Sequence, residues 1–367
     1  MVRFAEVIEA SIEWAATVLF RPFNPKKWLI LGFVAMLAGQ MAGSSFHSSS
    51  GYNNQKHKQA EAATISKASI SPAPSPYSKI EPPKAFSKIR DYLQAKNPLL
   101  LIIIILISLA ILTFMVIMFW LSARFNFIFL EDVVKNDASI RTPFKANKEI
   151  GNSLFLFSLA FAAIFIALLG LIIWLCIWTL IKLGAFDKTA AVGFWRIFLT
   201  CLPYGLLALL LLIVTAIIGV IINDFVLVVM FKDKVKIMQA WPKALSIISA
   251  HKTDLIKYIF IKLGLGICCA IISGILNLAV FLGLLFPAGI TAAIFYLIYL
   301  IVPLTLRFLY FIILFIVAVP VLLFLIYCLM CLYLPFAVFF RTLSLKFISR
   351  LDPNYNLFNY TLNKEVV

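Results

Sequence analysis

Residues that could carry chemistry are scarce in this chain, and they lack the spacing that catalysis or metal binding requires. The three histidines, His47, His57 and His251, all fall in polar segments. Neither an HExxH zinc motif nor a histidine base within an apolar stretch is therefore indicated. Cys328 and Cys331 form a CxxC pair, but the apolar helix around them brings no neighbouring histidine or carboxylate. We expect no enzymatic activity, no metal site and no cofactor.

The clearest regular spacing belongs to small residues that recur every four positions in two apolar stretches. These two ridges are Ala35, Gly39 and Gly43, and Gly266, Ala270 and Gly274. Small residues at this spacing let helix backbones approach closely, which is a main source of helix association in lipid. We therefore expect both ridges to pack against other helices.

Each ridge has a polar neighbour, Gln40 in the first and Ser273 with Asn277 in the second. In one interpretation, these side chains exchange hydrogen bonds between packed helices, each contributing roughly 0.6–2 kcal/mol. In the other, they line an internal groove for an amphiphile such as a lipid. Homodimerisation through Gly39 and Gly43 is a further possibility.

The elements that must position these residues are apolar runs long enough to cross a bilayer. Hydrophobic residues make up 63% of the chain and charged residues 13%, a ratio that a water-soluble surface does not tolerate. About 20 apolar residues in a helix span the ~30 Å hydrocarbon core. Six spans are predicted, at residues 28–46, 98–123, 152–181, 197–223, 258–286 and 308–340. The fold class is all-α, a polytopic transmembrane helix bundle.

One further apolar stretch, residues 289–306, has no polar linker on either side, and only Pro287, Pro303 and Arg307 interrupt or border it. It is either a seventh span or a re-entrant segment buried against the others.

The segments outside the spans are polar or amphipathic. Residues 1–27 form an interfacial amphipathic helix and an elbow, since Glu6, Glu9 and Glu13 recur at helical spacing opposite apolar residues. Stretches 129–148, 234–251 and 341–351 have a similar pattern and are expected to be surface helices at the rim of the bundle.

Two extramembrane regions differ in composition from the rest. The loop at 47–97 is rich in Ser, Pro and Lys and is expected to be largely disordered. The helical membrane bundle then occupies 98–340, and a basic C-terminal tail occupies 341–367.

The net charge of +16 does not require a nucleic-acid partner. Lys and Arg cluster at helix ends, where they meet anionic lipid headgroups. Lys182, Lys262 and Arg307 lie close enough to span ends for their charged groups to reach the interface. If the long loop crosses regardless of its charge, the remaining cations favour cytoplasmic N- and C-termini.

Charged residues also mark the end of the second span. Arg124, followed by Glu131 and Asp132, is expected to form an interfacial ion-pair cluster that fixes the elbow there. A weak internal repeat accompanies this elbow. FIFLEDVVKND and NDFVLVVMFKD both pass through a Val-Val pair into a basic stretch, an amphipathic helix and the next span, which suggests duplication.

Several blocks resemble an uncharacterised family of multi-pass bacterial integral membrane proteins. They read RPFNPKKWLILGFVAMLAG, SARFNFIFLEDVVKND, RTPFKANKEIGNSLFLF and MQAWPKALSIISAHKTDLIKYIFIK. The elbow pattern is more distantly similar to the membrane domain of glycerophosphodiester phosphodiesterases. By this resemblance the motif positions are Arg21, Pro22, Lys27, Trp28, Arg124, Phe129, Asp132, Val133, Val134, Gly151 and Asn152. The family has no assigned activity, and the soluble phosphodiesterase barrel is absent here, so that activity is not transferred.

The expected function is that of a non-enzymatic accessory or organising protein of a bacterial inner membrane. Its partners would be membrane lipids, including anionic headgroups, and a membrane protein or a second copy of the chain. The alternative is a carrier for a hydrophobic or amphiphilic small molecule or lipid, with Gln40, Ser273 and Asn277 facing its groove.

Overall fold

The computed structural model describes residues 3–40, 98–185, 193–303 and 306–358. These residues contain helices and no strand, which confirms the predicted all-α class. Residues 98–117 form one unit, and the remaining described residues form the other. The α-helices are α1 Phe4–Phe20, α2 Pro25–Leu37, α3 Pro98–Lys135, α4 Arg141–Ala146, α5 Lys148–Lys182, α6 Phe194–Ile221, α7 Leu227–Asp233, α8 Ile237–Ala250, α9 Lys252–Ile301, α10 Arg307–Cys331 and α11 Leu334–Leu351.

Two short helical turns complete the described structure. A π-helical turn, Ile222–Val226, joins α6 directly to α7, and a 3₁₀ turn, Pro353–Tyr355, follows α11. Within the described ranges, five helical stretches are long and apolar enough to cross a membrane. They are α3, α5, α6 with its continuation into α7, α9 and α10. This is the pattern of a multi-pass membrane protein.

The predicted first span, 28–46, is too long. Helix α2 ends at Leu37 because Gly39 adopts a left-handed conformation with φ of 72°, a common way to end a helix. Its 13 residues correspond to about 20 Å, short of the ~30 Å hydrocarbon core. Leu31 and Val34 are fully buried inside the protein, so α2 belongs to the core.

Residues 289–301 continue α9, so they are not a separate seventh helix. The helix passes through Pro287 without ending and reaches 50 residues. Proline is tolerated within membrane helices, where the freed backbone groups find other partners. Helix α10 then returns along the end of α9, where Tyr310 Oη donates to the Phe295 carbonyl at 2.9 Å.

The predicted sixth span, 308–340, is broken, because α10 ends at Cys331 and α11 begins at Leu334. Helix α11 is also more buried than a surface helix at 341–351 would be. Its residues Arg341 to Leu345 are all buried. Helix α1 packs along α11, and Phe4 stacks on Phe347 at 5.7 Å between ring centroids.

The buried core of the larger unit lies at the ends of the long helices. It is built from α1, α2, the last turns of α3, the π turn with α7, α8 and α11. Trp14 of α1 crosses to α3, where its Nε1 donates to the Val133 carbonyl at 3.0 Å. The middle parts of the long helices expose their Leu, Ile and Phe side chains. The apolar faces of the short helices therefore supply most of the tertiary packing.

The proposed internal repeat is visible in the backbone. The two Val-Val pairs are buried, one near the end of α3 and one in α7. Each helix is followed by a non-glycine residue in the left-handed region, Asn136 with φ of 55° and Lys234 with φ of 54°. A short helix and then a long one follow in both cases. The connection from the end of α3 to the start of α5 and the connection from the end of α7 to the start of α9 thus share one backbone plan. We call them the first and the second elbow.

Asn24 caps the N-terminus of α2, and its removal should weaken the elbow between α1 and α2. Its Oδ1 accepts from the N–H groups of Lys26 and Lys27 at 3.0 and 3.4 Å. Asn24→Ala should lower the free energy of unfolding by about 1 kcal/mol. Asn24→Asp should retain it, since Asp also caps. Denaturant unfolding in detergent measures both, and equal unfolding midpoints would contradict the capping role.

Candidate functional site

A carboxylate, two cations and a phenol are buried together where α6 continues into α7. Asp224 Oδ2 accepts from Lys262 Nζ at 2.5 Å and from Tyr258 Oη at 2.8 Å. Arg341 of α11 donates from Nη1 to the Asn223 carbonyl at 2.8 Å. The Lys262 and Asp224 side chains are only 7% and 5% exposed, and Arg341 is 4% exposed. We call Asp224, Tyr258, Lys262 and Arg341 the buried charge cluster.

The π turn creates the acceptor that anchors Arg341. The N–H of Leu227 bonds to the carbonyl of Ile222, five residues earlier, instead of to that of Asn223, four residues earlier. This widened turn leaves the Asn223 carbonyl available to Arg341 Nη1. Single π turns inside α-helices occur frequently at functional sites.

Aromatic rings enclose the cluster. Tyr258 stacks on Phe347 with 4.2 Å between ring centroids, and Phe225 meets both rings edge-on at 6.0 Å. All three side chains are buried. Water is therefore kept away, which strengthens the attraction between Asp224 and Lys262.

The cluster carries more positive than negative charge. Burial lowers the pKa of the Arg341 guanidinium to about 10, an effect that Asp224 and Tyr258 partly oppose. Arg341 is therefore still protonated at neutral pH. Its Nε and Nη2 atoms are buried and have no hydrogen-bond partner among the described residues. The cluster thus holds two cations and one carboxylate, and the Nε and Nη2 groups of Arg341 donate no hydrogen bond to the described residues.

The sequence prediction for Lys262 was wrong. Its Nζ does not extend to the interface but bonds to Asp224, and the residue is buried. Asp224 itself was not singled out. The sequence offered one signal for it. Asp224 comes directly after an apolar run, four residues past Val220, and is followed by Phe225 and Val226.

The predicted ion-pair cluster of Arg124, Glu131 and Asp132 does not form. Arg124 and Glu131 are seven residues apart, so they lie two helical turns from each other along α3. Glu131 instead pairs with Lys135 at 2.9 Å. It also accepts from Asn147 Nδ2 at 2.9 Å.

Asp132 has a different environment from its neighbour. One of its carboxylate oxygens accepts from the N–H of Ser139 at 3.3 Å. The other is buried and has no partner within the described ranges. Glu131 and Asp132 therefore contact the first elbow separately, without a shared ion-pair cluster.

Arg124 fixes the first elbow through an amide and two rings. Its Nη2 and Nε donate to Asn152 Oδ1 at 2.9 and 3.3 Å. The guanidinium lies over the rings of Trp120 and Phe144, at 4.1 and 4.9 Å from their centroids. Gly151 leaves room for this side chain, because a Cβ there would lie 2.8 Å from Arg124 Cγ. The contacts join α3, α4 and α5.

Gln40 and Asn277 each have a partner in the structure. Gln40 Nε2 donates to Asn126 Oδ1 of α3 at 2.8 Å. Tyr333, between α10 and α11, donates from Oη to Asn277 Oδ1. Ser273 is half-buried on α9. The structure does not join these three side chains into one polar group.

The two small-residue ridges differ from their predicted packing. Ala35 is fully buried, but Gly39 is exposed and ends α2, and Gly43 lies outside the described residues. On α9, Ala270 is exposed, and a Cβ at Gly274 would meet nothing within 4 Å. At these two positions the second ridge is not packed against another helix of the described ranges.

Other motif positions also hold the elbows together. Lys27 Nζ donates to Asn136 Oδ1 at 2.6 Å, and Trp28 Nε1 donates to the Leu19 carbonyl at 2.9 Å. Burial lowers the pKa of Lys27 from its usual value. Within the described residues, no group of three or more His, Cys, Asp or Glu side chains could hold a metal ion.

A protein-family model described as a family of unknown function, DUF7544, matches residues 4–358. The chain belongs to this family. The match covers both elbows and the whole buried charge cluster, so these features lie within the DUF7544 region. No curated protein and no solved structure matches the chain.

Gly151 should be intolerant of a side chain in this DUF7544 protein. Gly151→Ala pushes against Arg124 Cγ, which Asn152 and Trp120 hold in place, so the protein should unfold at lower temperature. Gly170→Ala on the same helix is the control, because a Cβ there meets nothing within 4 Å. Gly170→Ala should leave the free energy of unfolding unchanged or raise it by up to about 1 kcal/mol. Thermal unfolding in detergent would refute the steric argument if both variants behaved alike.

Neutralising Asp224 should be strongly destabilising, since it leaves Lys262 as a second uncompensated buried cation beside Arg341. Asp224→Asn should lower the free energy of unfolding by about 3–5 kcal/mol. Asp233→Asn is the matched control, since Asp233 pairs at 2.5 Å with the half-exposed Lys243. It should change stability only slightly. Denaturant unfolding in detergent distinguishes them, and a similar loss in both variants would argue against the buried pair.

Proposed function

We propose that this protein is a non-enzymatic accessory or organising component of a bacterial inner membrane that contacts lipids or partner proteins. The observation that carries the proposal is the exposure of apolar side chains along the five long helices. Lipid chains or apolar partner helices are the surroundings that such side chains require.

Helix α10 gives the strongest support. Its successive residues Val321, Leu322, Leu323 and Phe324 are 55–62% exposed, so they present apolar groups in every direction around the helix. Phe308 and Phe315, farther from α11, are 78% and 68% exposed. Lipid supplies no hydrophobic force between helices, so a surface of this kind remains available to acyl chains or to another protein.

Cations and aromatic rings at the helix ends far from the core support a membrane interface there. Lys182 Nζ lies 3.8 Å from the centroid of Trp178 at the end of α5. Arg307 Nη1 donates to Tyr299 Oη at 3.1 Å at the turn between α9 and α10. Trp, Tyr and basic side chains are typical of the headgroup level.

The orientation of the termini and the bacterial origin of the protein belong to the same proposal. Cytoplasmic termini would place the buried core and its elbows on the inner side of the membrane. Similarity of the elbows to the membrane domain of glycerophosphodiester phosphodiesterases is likewise part of the proposal, without that enzyme's activity. The carrier alternative draws no support from the geometry, because Gln40 and Asn277 bond to Asn126 and Tyr333.

Photo-crosslinking from α10 tests the proposal. A benzoylphenylalanine replacing Phe315 in the full-length protein should form adducts with lipid or with another membrane protein in native membranes, because this position is 68% exposed. The same group replacing Phe340, which is 6% exposed, is the control and should crosslink only within the chain. Mass spectrometry identifies the adducts. Absence of external adducts at Phe315, with the protein in the membrane fraction, would refute the proposal.

A further inference from the structure

The edge of the Arg341 guanidinium formed by Nε and Nη2 is buried but unused. Nη1 is engaged by the Asn223 carbonyl, whereas Nε and Nη2 have no hydrogen-bond partner in the part of the chain that the structure describes. Buried donors without acceptors are rare and costly, more so on a charged group. A partner that the chain does not supply is therefore indicated.

The position of the free donors specifies the shape of this partner. Nε–H and the neighbouring Nη2–H point in parallel from one edge of the planar guanidinium. This fork matches two oxygens of a carboxylate or a phosphate, and such bidentate pairs are among the strongest hydrogen-bonded contacts in proteins. Because Nη1 is fixed by the π turn, the orientation of the fork is set before any ligand arrives.

The charges of the cluster specify the sign of the partner. Asp224 Oδ2 is already shared by Lys262 and Tyr258, and no ion pair joins Asp224 to Arg341 within 4.0 Å. The cluster therefore retains one uncompensated positive charge away from water. A single negative charge at the fork would neutralise it and satisfy both free donors.

We propose that Arg341 is the binding residue of a buried oxyanion site, which takes a monoanion with two free acceptor oxygens. Carboxylate and phosphate groups share this chemistry, and the source is either a soluble anion or a lipid headgroup. Lys262 and Asp224 neutralise each other, and the Asn223 carbonyl positions the guanidinium. The site stands on these contacts alone and does not depend on the organising role proposed above.

Equilibrium binding to the full-length protein in a neutral detergent tests this site. The probes are inorganic phosphate, acetate and a short-chain phosphatidylglycerol, at constant ionic strength and at a pH where phosphate is mainly monoanionic. At least one probe should bind saturably, with one molecule per chain. Binding of phosphate or acetate indicates a soluble anion, and binding of phosphatidylglycerol alone indicates a headgroup. No saturable binding of any probe would overturn the proposal, and would mean that Arg341 finds its partner within the chain.

Two conservative variants separate the fork from simple charge. Arg341→Lys keeps the positive charge but removes the paired donors, so affinity should fall by about tenfold or more. Arg350→Lys, on the same helix with a side chain 58% exposed, should bind like the wild type. Unchanged affinity in Arg341→Lys would overturn the proposal.

A direct measurement covers the case in which Arg341→Lys does not fold. A cryo-electron microscopy map of the wild-type protein with the tightest-binding probe should show density within hydrogen-bond distance of Nε and Nη2. Density elsewhere, with this edge of Arg341 empty, would overturn the assignment.

Discussion

The cost of burying charge organises the core of this protein. Asp224, Lys262 and Arg341 come from the π turn, α9 and α11. Lys262 would be unstable at its depth without Asp224, and the neighbouring Asn223 carbonyl accepts from Arg341. Bringing them together joins the π turn, α9 and α11 in one buried cluster. Because Phe347 and Phe225 enclose the same groups, the apolar packing and the ion pair enforce one arrangement. A well-packed apolar cluster could supply similar stability, so stability alone does not account for the buried charges.

The long helices could be predicted from the sequence because apolar length is a local property, whereas their ends could not. The apolar run after Trp28 continues past Leu37, but the left-handed Gly39 ends α2 there. Conversely, Pro287 looks like a boundary in the sequence, yet α9 continues through it. At Gly39 the helix closes on itself, because the N–H groups of Gly39 and Gln40 bond to the carbonyls of Met36 and Ala35. Glycine permits such an ending and proline permits a boundary, but neither residue type requires one in a membrane helix.

The candidate site was hidden from sequence analysis because its residues are distant from one another in the chain. Asp224 lies 34 and 38 residues from Tyr258 and Lys262, and Arg341 contacts the carbonyl of Asn223 from 118 residues away. No periodicity links positions so far apart, and the π turn that frees the Asn223 carbonyl has no sequence signature that we could use. The first elbow was located more successfully, since Arg124, Gly151 and Asn152 were all identified as motif positions. The contacts among them were not predicted, because an arginine followed by acidic residues suggests an ion pair whether or not the helix places them within reach.

The two elbows show how one backbone plan can accommodate charge in different ways. In the first, Arg124 is satisfied by the Asn152 amide and by two aromatic rings, so its positive charge faces polarisable neutral groups. In the second, Lys262 is satisfied by the Asp224 carboxylate, which lies in the widened π turn. Arg341 enters this second elbow from α11, outside the repeated segments, and brings a charge that the elbow itself does not balance. The excess positive charge therefore arises where the repeat is joined to the C-terminal helix, and an oxyanion is the partner whose charge and shape resolve it.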